Sequence, residues 1–347
     1  MTAGFRWRDA GRTVVFRRGG AAQAVEVLRE NGVDEFELLS TERARGELPG
    51  ADRLAEVAGG VHEVAKGQVP AVAAALTDAL APPSHAEEGV RVRPLVALGG
   101  GRVIDVAKAV AAVSGAKVVA IPTTLSGAPM TAIHRFPAGA EERVRGMVQP
   151  TLVVADPEAM TGQPERDLRA SAMNALAHGA DTLYSPNSNP VSEMAALRGA
   201  ELIGSSLDEV RQGRERADLA LGAILCGYAI DSAGLGLHHV ICQTLVRLCG
   251  TPHAETNAAV LPHALAFLAE RAPEPYERLA PALGTEPSGL RERVEDLGWP
   301  QRLGDLGGDA SMRDEAVDAM LERPELERVP GSSVTREDLE RIVEQTW

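Results

Sequence analysis

Residues 95–108 read LVALGGGRVIDVAK, in which an apolar run leads through three glycines into a segment with helical spacing. This order predicts a buried strand, a tight turn and the first turn of a helix. Glycines without a Cβ let backbone N–H groups approach an anion, and the N-terminus of a helix adds partial positive charge. Gly99, Gly100 and Gly101 therefore predict a phosphate-binding turn, although they form neither the GxGxxG nor the P-loop pattern. A glycine turn that binds nothing is the alternative.

A second predicted strand ends in hydroxyl-bearing residues shortly afterwards. The run Val118–Ile121 stops at Pro122 and is followed by Thr123, Thr124 and Ser126. Ligands of open parallel sheets bind at the carboxyl ends of the strands, whereas the same residue types also serve as ordinary turn and helix-capping residues. The two turns together favour a bound dinucleotide.

Strand and helix patterns alternate in the first part of the chain, and helical patterns dominate the rest. The predicted strands are Thr13–Phe16, Glu35–Ser40, Leu95–Leu98, Val118–Ile121 and Leu152–Ala155. Helical spacing between them favours parallel pairing with helical crossovers. The long Ala/Leu-rich helical stretches that follow are Arg166–Ser185, Pro190–Asp208, Ala217–Ala233, Gly236–Leu248 and Ala254–Glu270. We therefore expect an α/β dinucleotide-binding domain at 1–157 and an all-α catalytic domain at 158–347.

The composition argues against two classes of protein. The net charge is −14 and aromatic residues make up 3% of the chain. Nucleic-acid binding depends on cations for the phosphates and on rings for the bases, so no nucleic-acid partner is expected. No apolar run approaches the roughly 20 residues of a membrane span, so no membrane partner is expected either. The N-terminus lacks an apolar segment with a cleavage site and the three cysteines form no spaced framework, which predicts a reduced, cytoplasmic protein.

Histidines concentrate in the helical part of the chain. Five of the eight lie there, namely His178, His238, His239, His253 and His263. Asn174 and His178 are four residues apart, which places them on one helix face. A cluster of imidazoles on apolar helices predicts either a metal site or proton transfer, although any one of them alone is more typical of a hydrogen-bonded core histidine.

These segments resemble the iron-containing alcohol dehydrogenase superfamily, and most of all its maleylacetate reductase branch. The resemblance rests on the glycine turn with Lys108, the turn at 122–124 and the helical segments 173–178, 237–239, 252–256 and 261–265. It implies a fold of the dehydroquinate synthase and iron-containing alcohol dehydrogenase type, a homodimer, and hydride transfer with NAD or NADP in a cleft between two domains. The residues it assigns to the cofactor are Gly99, Gly100, Gly101, Asp105, Thr123, Thr124 and Ser126.

The resemblance also assigns the helical residues. In metal-dependent members the ligands are an Asp and three His, and by motif these positions are Asn174, His178, His239 and His253. An amide in place of the carboxylate lowers the affinity for a divalent cation, so Zn²⁺ or iron on the three histidines is allowed but is not expected to be essential. As catalytic residues, His239 or His253 would polarise the substrate oxygen or relay its proton, together with His178. His238 would act as an outer partner, and Asn174 would donate a hydrogen bond.

Three positions depart from the maleylacetate reductase pattern. Val240, Gln243 and Asn257 stand where the resemblance leads us to expect Lys, His and His. A pocket for the maleylacetate dianion should present cations, preferably arginine. The candidates in the sequence are Arg247, near the histidines, and Arg135, from the loop after the threonines. These departures leave the general dehydrogenase function intact and weaken the specific one.

The general prediction is an NAD(P)-dependent oxidoreductase, of the alcohol dehydrogenase or carbonyl or enoyl reductase type, with an altered metal site. One specific alternative is a maleylacetate reductase, which converts maleylacetate to 3-oxoadipate. Another is a tailoring dehydrogenase that oxidises a hydroxyl on a modified peptide or other natural product. A lyase resembling 3-dehydroquinate synthase is disfavoured by the scarcity of lysine, and an inactive homologue by the retained histidines. Glu42 would repel the 2′-phosphate of NADP and Arg43 would attract it, so both cofactors stay open.

Overall fold

The computed structural model describes residues 11–80, 92–210, 216–300 and 302–347. The chain divides after Gly162 into two compact units, and each is described by itself. The predicted boundary between residues 157 and 158 falls slightly earlier, at the start of a short helix, Pro157–Met160. The prediction about the N-terminal segment falls partly on residues 1–10, which lie outside the described residues.

A parallel sheet forms the first unit. Its described residues contain six strands, which are β1 (Thr13–Phe16), β2 (Glu37–Ser40), β3 (Gly60–Glu63), β4 (Leu95–Gly99), β5 (Val118–Pro122) and β6 (Leu152–Ala155). They pair in the order β1-β6-β5-β4-β2-β3, and every pairing is parallel. The predicted parallel α/β architecture is therefore confirmed.

Helices cover this sheet. They are α1 (Ala24–Glu30), α2 (Glu42–Glu47), α3 (Ala51–Val57), α4 (Val69–Leu80), α5 (Gly101–Ser114) and α6 (Pro157–Met160). The central strands β4 and β5 are buried along their whole length. Because both faces of a central parallel strand are covered, these strands read as continuous apolar runs, which is why the sequence located them well.

The second unit consists of helices. Its described residues form nine α-helices, which are α7 (Glu165–Tyr184), α8 (Pro190–Val210), α9 (Ala217–Ala233), α10 (Leu237–Leu248), α11 (His253–Arg271), α12 (Pro273–Ala282), α13 (Leu290–Gly298), α14 (Arg313–Leu321) and α15 (Arg336–Thr346). The predicted all-α domain is thus confirmed. No single helix in the described ranges is long and apolar enough to cross a membrane, and α9 with α10 meets that test only as a pair bent by 99°.

Glycines let three of these helices approach closely. A Cβ built on Gly199 of α8 would lie 2.6 Å from the Sγ of Cys226 and 2.9 Å from the carbonyl oxygen of Gly222, both on α9. One built on Gly179 of α7 would lie 3.1 Å from the same sulfur. Cys226, like the other two cysteines, is a buried free thiol. The packing therefore explains Cys226 as a small core residue.

Candidate active site

The two predicted cofactor turns lie side by side at the carboxyl edge of the sheet. β4 and β5 are neighbours, with Gly99 opposite Pro122. The backbone N–H of Thr123 donates to the carbonyl of Gly99 over 3.0 Å. Gly99 has a φ of +158°, and a Cβ there would lie 2.6 Å from a methyl carbon of Val103. The turn thus requires glycine at this position, because any side chain would collide with the first turn of α5.

The other two glycines make room for hydroxyl side chains of the second turn. A Cβ built on Gly100 would lie 3.0 Å from Cγ2 of Thr124, and one built on Gly101 would lie 2.8 Å from Oγ of Ser126. The Oγ of Ser126 is buried and has no hydrogen-bond partner within the described ranges. Together with the N–H groups at the start of α5, this hydroxyl forms a polar cradle that fits an anion such as a phosphate.

Lys108 holds the segment that follows the second turn. Its ammonium group is fully buried and donates to the carbonyl oxygens of Ala128, Thr131 and Ile133 over 2.8–3.2 Å. Asp105, which the resemblance assigns to the cofactor, lies with Oδ1 2.8 Å from this ammonium. Lys108 had no separate role in the predicted site. The structure shows that it fixes the loop that continues from Thr123, Thr124 and Ser126.

Three histidines of the second unit come together on α7 and α10. The rings of His178 and His239 stack with centroids 4.6 Å apart and planes 13° apart, and His238 meets His239 edge-on at 5.0 Å. All three are at least 93% buried. Burial, and then the neighbouring His253, lower the pKa of His239 to about 3. Burial lowers the pKa of His178 well below its usual value, so these imidazoles are neutral at pH 7.

A buried carboxylate, Asp181, anchors this cluster. Its Oδ2 accepts a hydrogen bond from Nδ1 of His239 over 2.6 Å and one from the backbone N–H of Gly236 over 3.0 Å. Its Oδ1 accepts from the hydroxyl of Tyr184 over 2.8 Å, and burial raises the pKa of the carboxyl. Asp181 was not among the residues predicted from the sequence. The available signal was its spacing, since Asp181 lies one turn after His178 on the same helix face.

The turn before α10 brings the backbone onto this carboxylate. The N–H of Leu237 donates to the Tyr184 hydroxyl over 2.6 Å. A Cβ built on Gly236 would overlap that hydroxyl and come within 3.0 Å of Cγ of Asp181. Glycine is required at Gly236 because a side chain would push the start of α10 away from α7.

Two ring nitrogens of the cluster remain unpaired. Nδ1 of His178 and Nε2 of His239 are buried and have no hydrogen-bond partner within the described residues. Asn174 is also buried, one turn before His178 on α7. His253, the first residue of α11, is exposed on the surface. Thus α7 and α10 place Asn174, His178, His238 and His239 in the interior, and His253 lies at the surface of this unit.

These side chains do not fit a divalent metal as they are arranged. A metal lies in the ring plane of each imidazole that binds it, and the nearly parallel rings of His178 and His239 do not direct lone pairs at one point. The carboxylate nearest to them, Asp181, is already occupied by three donors. Among the described residues, no group of three or more His, Cys, Asp or Glu side chains could hold a metal ion.

Asn257, one of the departures from the pattern, supports His238. Nε2 of His238 donates to Oδ1 of Asn257 over 2.9 Å, and Nδ2 of Asn257 donates to the carbonyl of His253 over 2.6 Å. The thiol of Cys242 lies 3.4 Å from the same ring nitrogen. Burial lowers the pKa of His238 to about 3. His238 is therefore a neutral, fully engaged partner behind His239.

Gln243, a second departure, contacts an arginine that the sequence analysis did not consider. Nη2 of Arg323 donates to Oε1 of Gln243 over 3.2 Å, and the same guanidinium binds both oxygens of Glu325 over 2.6 and 3.0 Å. Arg247, the predicted cation, is exposed on α10. Arg135 lies in the first unit, where it donates to Gln68. Arg323 was missed because it is 80 residues from Gln243 in the chain.

Known proteins share this architecture along the whole chain. The model of the Fe-containing alcohol dehydrogenase family, C-terminal, matches residues 169–347, and the model of iron-containing alcohol dehydrogenase matches residues 15–164. Maleylacetate reductase of Rhizobium sp. (strain MTP-10005) is 32% identical over 92% of this chain and 90% of its own. Maleylacetate reductase of Burkholderia cepacia is 38% identical over 66% of this chain and 67% of its own. The crystal structure of maleylacetate reductase from Agrobacterium tumefaciens superposes with a TM-score of 0.84 at 29% identity, covering 100% of this chain and 99% of that one.

Proposed function

The chain belongs to the iron-containing alcohol dehydrogenase family, and we propose that it is an oxidoreductase that reduces maleylacetate to 3-oxoadipate with NADH or NADPH. The likeness to a maleylacetate reductase over nine-tenths of both chains carries the proposal. Of the specific functions considered from the sequence, the comparisons favour this one over a tailoring dehydrogenase. The chemistry consumes one NAD(P)H and one proton: a hydride adds to one carbon of the double bond and a proton to the other.

The first unit supplies the residues that would hold the dinucleotide. Gly100 and Gly101 open the N-terminus of α5, and Ser126 presents a buried hydroxyl without a partner within the described ranges. Backbone N–H groups and a hydroxyl are the donors that a pyrophosphate needs. When bound, the reduced dinucleotide supplies the hydride. Thr123 and Thr124 continue from the same strand end and would contact the same ligand.

The second unit supplies the residue that would handle the proton. His239 donates its Nδ1 hydrogen to Asp181, so its Nε2 carries the free lone pair. A dianionic substrate placed beside this neutral ring would raise its pKa, because a nearby negative charge favours the protonated imidazole. His239 would thus take up a proton from solvent when the substrate binds, and Nε2 would hold it for the reduction that consumes it. Asp181 would stabilise the imidazolium that results.

Arg323 is our candidate for the residue that binds a carboxylate of the substrate. Gln243 lies four residues after His239 on α10, so the two side chains share a helix face. Arg323 reaches that face through Gln243 and is shared with Glu325. Guanidinium groups bind carboxylates through two parallel hydrogen bonds, so a carboxylate of the substrate would compete with Glu325 for this cation.

A second candidate is the tailoring dehydrogenase that oxidises an uncharged hydroxyl. One observation favours it: Val240, Gln243 and Asn257 are all uncharged, and Val240 is fully buried. In that direction, Nε2 of His239 would accept the hydroxyl proton as a base. The same assay separates the two functions.

The test is oxidation of NADH and NADPH by purified protein, followed by absorbance with and without maleylacetate. We expect substrate-dependent oxidation and 3-oxoadipate as product. His239→Gln should reduce kcat and leave NADH binding unchanged, whereas Arg323→Gln should raise KM for maleylacetate about tenfold, the value of one exposed charged hydrogen bond. Tight NADH binding without oxidation by maleylacetate would overturn the proposal and favour the second candidate. A homodimer stays a prediction, to be checked by light scattering.

A further inference from the structure

Asp181, the carboxylate bound to His239, is not among the site residues that the sequence predicts. We propose that Asp181 is the positioning residue of this site: it keeps Nδ1 of His239 protonated and leaves Nε2 as the atom that exchanges a proton with the substrate. The inference rests on the proposed function for the identity of that substrate. Its structural part, the tautomer of His239, can be tested without any substrate.

Three donors hold the carboxylate of Asp181 in place. Tyr184 donates to Oδ1 over 2.8 Å, and the backbone N–H of Gly236 donates to Oδ2 over 3.0 Å. The third contact joins Oδ2 to Nδ1 of His239 over 2.6 Å. Because an ionised carboxylate only accepts, the hydrogen of this third bond belongs to the imidazole. The short distance is typical of a bond with a charged acceptor.

Neighbouring rings prevent His239 from turning over. His178 stacks on one face at 4.6 Å, and His238 approaches at 5.0 Å with an interplanar angle of 82°. A flip of the ring would exchange Nδ1 with a carbon and would leave the carboxylate without its donor in a buried site. The orientation and the tautomer of His239 are therefore fixed together.

The opposite ring nitrogen is left ready to bind. In a neutral imidazole one nitrogen donates and the other accepts, so Nδ1–H implies a lone pair on Nε2. This Nε2 is buried and has no hydrogen-bond partner among the described residues. Buried acceptors in native proteins are normally paired, which makes an unpaired one a natural place for the hydrogen of a ligand.

The first experiment determines the tautomer directly. Protein with ¹⁵N-labelled histidine is examined by NMR at pH 7.5, and the His239 signal is assigned by its loss in His239→Gln. We expect the Nδ1-protonated tautomer in the wild type. Asp181→Leu removes the acceptor at similar volume, so His239 should no longer be held in the Nδ1-protonated form and the Nε2-protonated form should appear. Tyr184→Phe removes a different partner of the same carboxylate, so it should leave the tautomer unchanged.

The second experiment compares kinetic constants of the same variants. Asp181→Leu should lower kcat on the order of 10²- to 10⁴-fold, as when a catalytic imidazole loses its orienting carboxylate, with KM within about threefold. Tyr184→Phe should show a much smaller loss of kcat, because it leaves the bond between Asp181 and His239 in place. A purely structural role of the carboxylate would instead lower kcat alike in both variants.

The outcomes separate this inference from the proposed function. An Nε2-protonated His239 in the wild type overturns the inference even if the protein reduces maleylacetate. Equal losses of kcat in Asp181→Leu and Tyr184→Phe also overturn it. The expected tautomer without turnover of maleylacetate overturns the proposed function alone.

Discussion

Replacing Lys108 by methionine tests how the cofactor turn is held. The ammonium group donates to three backbone carbonyl oxygens, of Ala128, Thr131 and Ile133. Methionine has nearly the same length, so the change removes the donors and leaves the volume almost filled. The variant therefore isolates the hydrogen bonds from the packing.

The contacts of Lys108 set the size of the stability loss that we expect in Lys108→Met. Each buried acceptor that loses its partner costs about 1–3 kcal/mol, so three carbonyls give roughly 3 kcal/mol at the lower end of that range. The ion pair with Asp105 adds little, because 31% of that side chain is exposed and water screens it. Ordering one backbone residue costs about 1–2 kcal/mol. A loosened loop should therefore also weaken NADH binding by about tenfold.

The assay combines urea unfolding, hydrogen exchange and NADH fluorescence for Lys108→Met and Lys117→Met. Lys117 is exposed, and its replacement should change the free energy of unfolding by no more than about 0.5 kcal/mol. For Lys108→Met we expect the free energy of unfolding to fall by about 3 kcal/mol and amide hydrogen exchange to become faster at residues 123–133. A loss below about 1 kcal/mol, with unchanged exchange in that segment, would refute the role assigned to Lys108.

Two further predictions concern stability. Burial lowers the pKa of His134 below 6.5, and its ring accepts from the N–H of Val148 over 2.9 Å, so the unfolded chain binds the proton first. The free energy of unfolding of the wild type should therefore fall as the pH falls below 6.5. In urea titrations at several pH values, this dependence on pH should be shallower in His134→Gln by up to about 1.4 kcal/mol per pH unit. Equal slopes in the two proteins would contradict this. Gly199→Ala should destabilise the protein by about 1–3 kcal/mol, because the added methyl group would clash with Cys226. Gly46→Ala is the control, since a Cβ there has nothing within 4 Å, and it should not destabilise the protein. Equal effects of the two changes in thermal unfolding would show that α8 and α9 can move apart.

The sequence located elements that carry a continuous apolar or helical pattern, including the mostly exposed β1, and missed short elements with few apolar residues. β4 and β5 are buried at every position and read as continuous apolar runs. β3 was not predicted, because it is an edge strand of four residues with alternating exposure and one aliphatic side chain, Val61. The short helices α2 and α3 were missed for a related reason, since each buries only one or two residues.

At the site, the sequence supplied the residues but not their pairings. Motif spacing singled out Asn174, His178 and His239, which the structure places in the interior of one unit. The contact between His239 and Asp181 spans 58 residues and depends on how α10 docks on α7. Local periodicity carries no information about such a contact. Arg323 escaped notice for the same reason, because its contact with Gln243 depends on the path of the chain after α14.

The charge around His239 explains why this cluster suits a proton better than a metal. Asp181 is the carboxylate bound to it, and that carboxylate is already shared among three donors. With an amide at Asn174 in place of a second carboxylate, a divalent cation would bring two positive charges against one negative charge in a buried site. Burying charge without compensation is costly. A single proton on His239 is balanced by Asp181 alone, and a dianionic substrate beside it would favour that proton further.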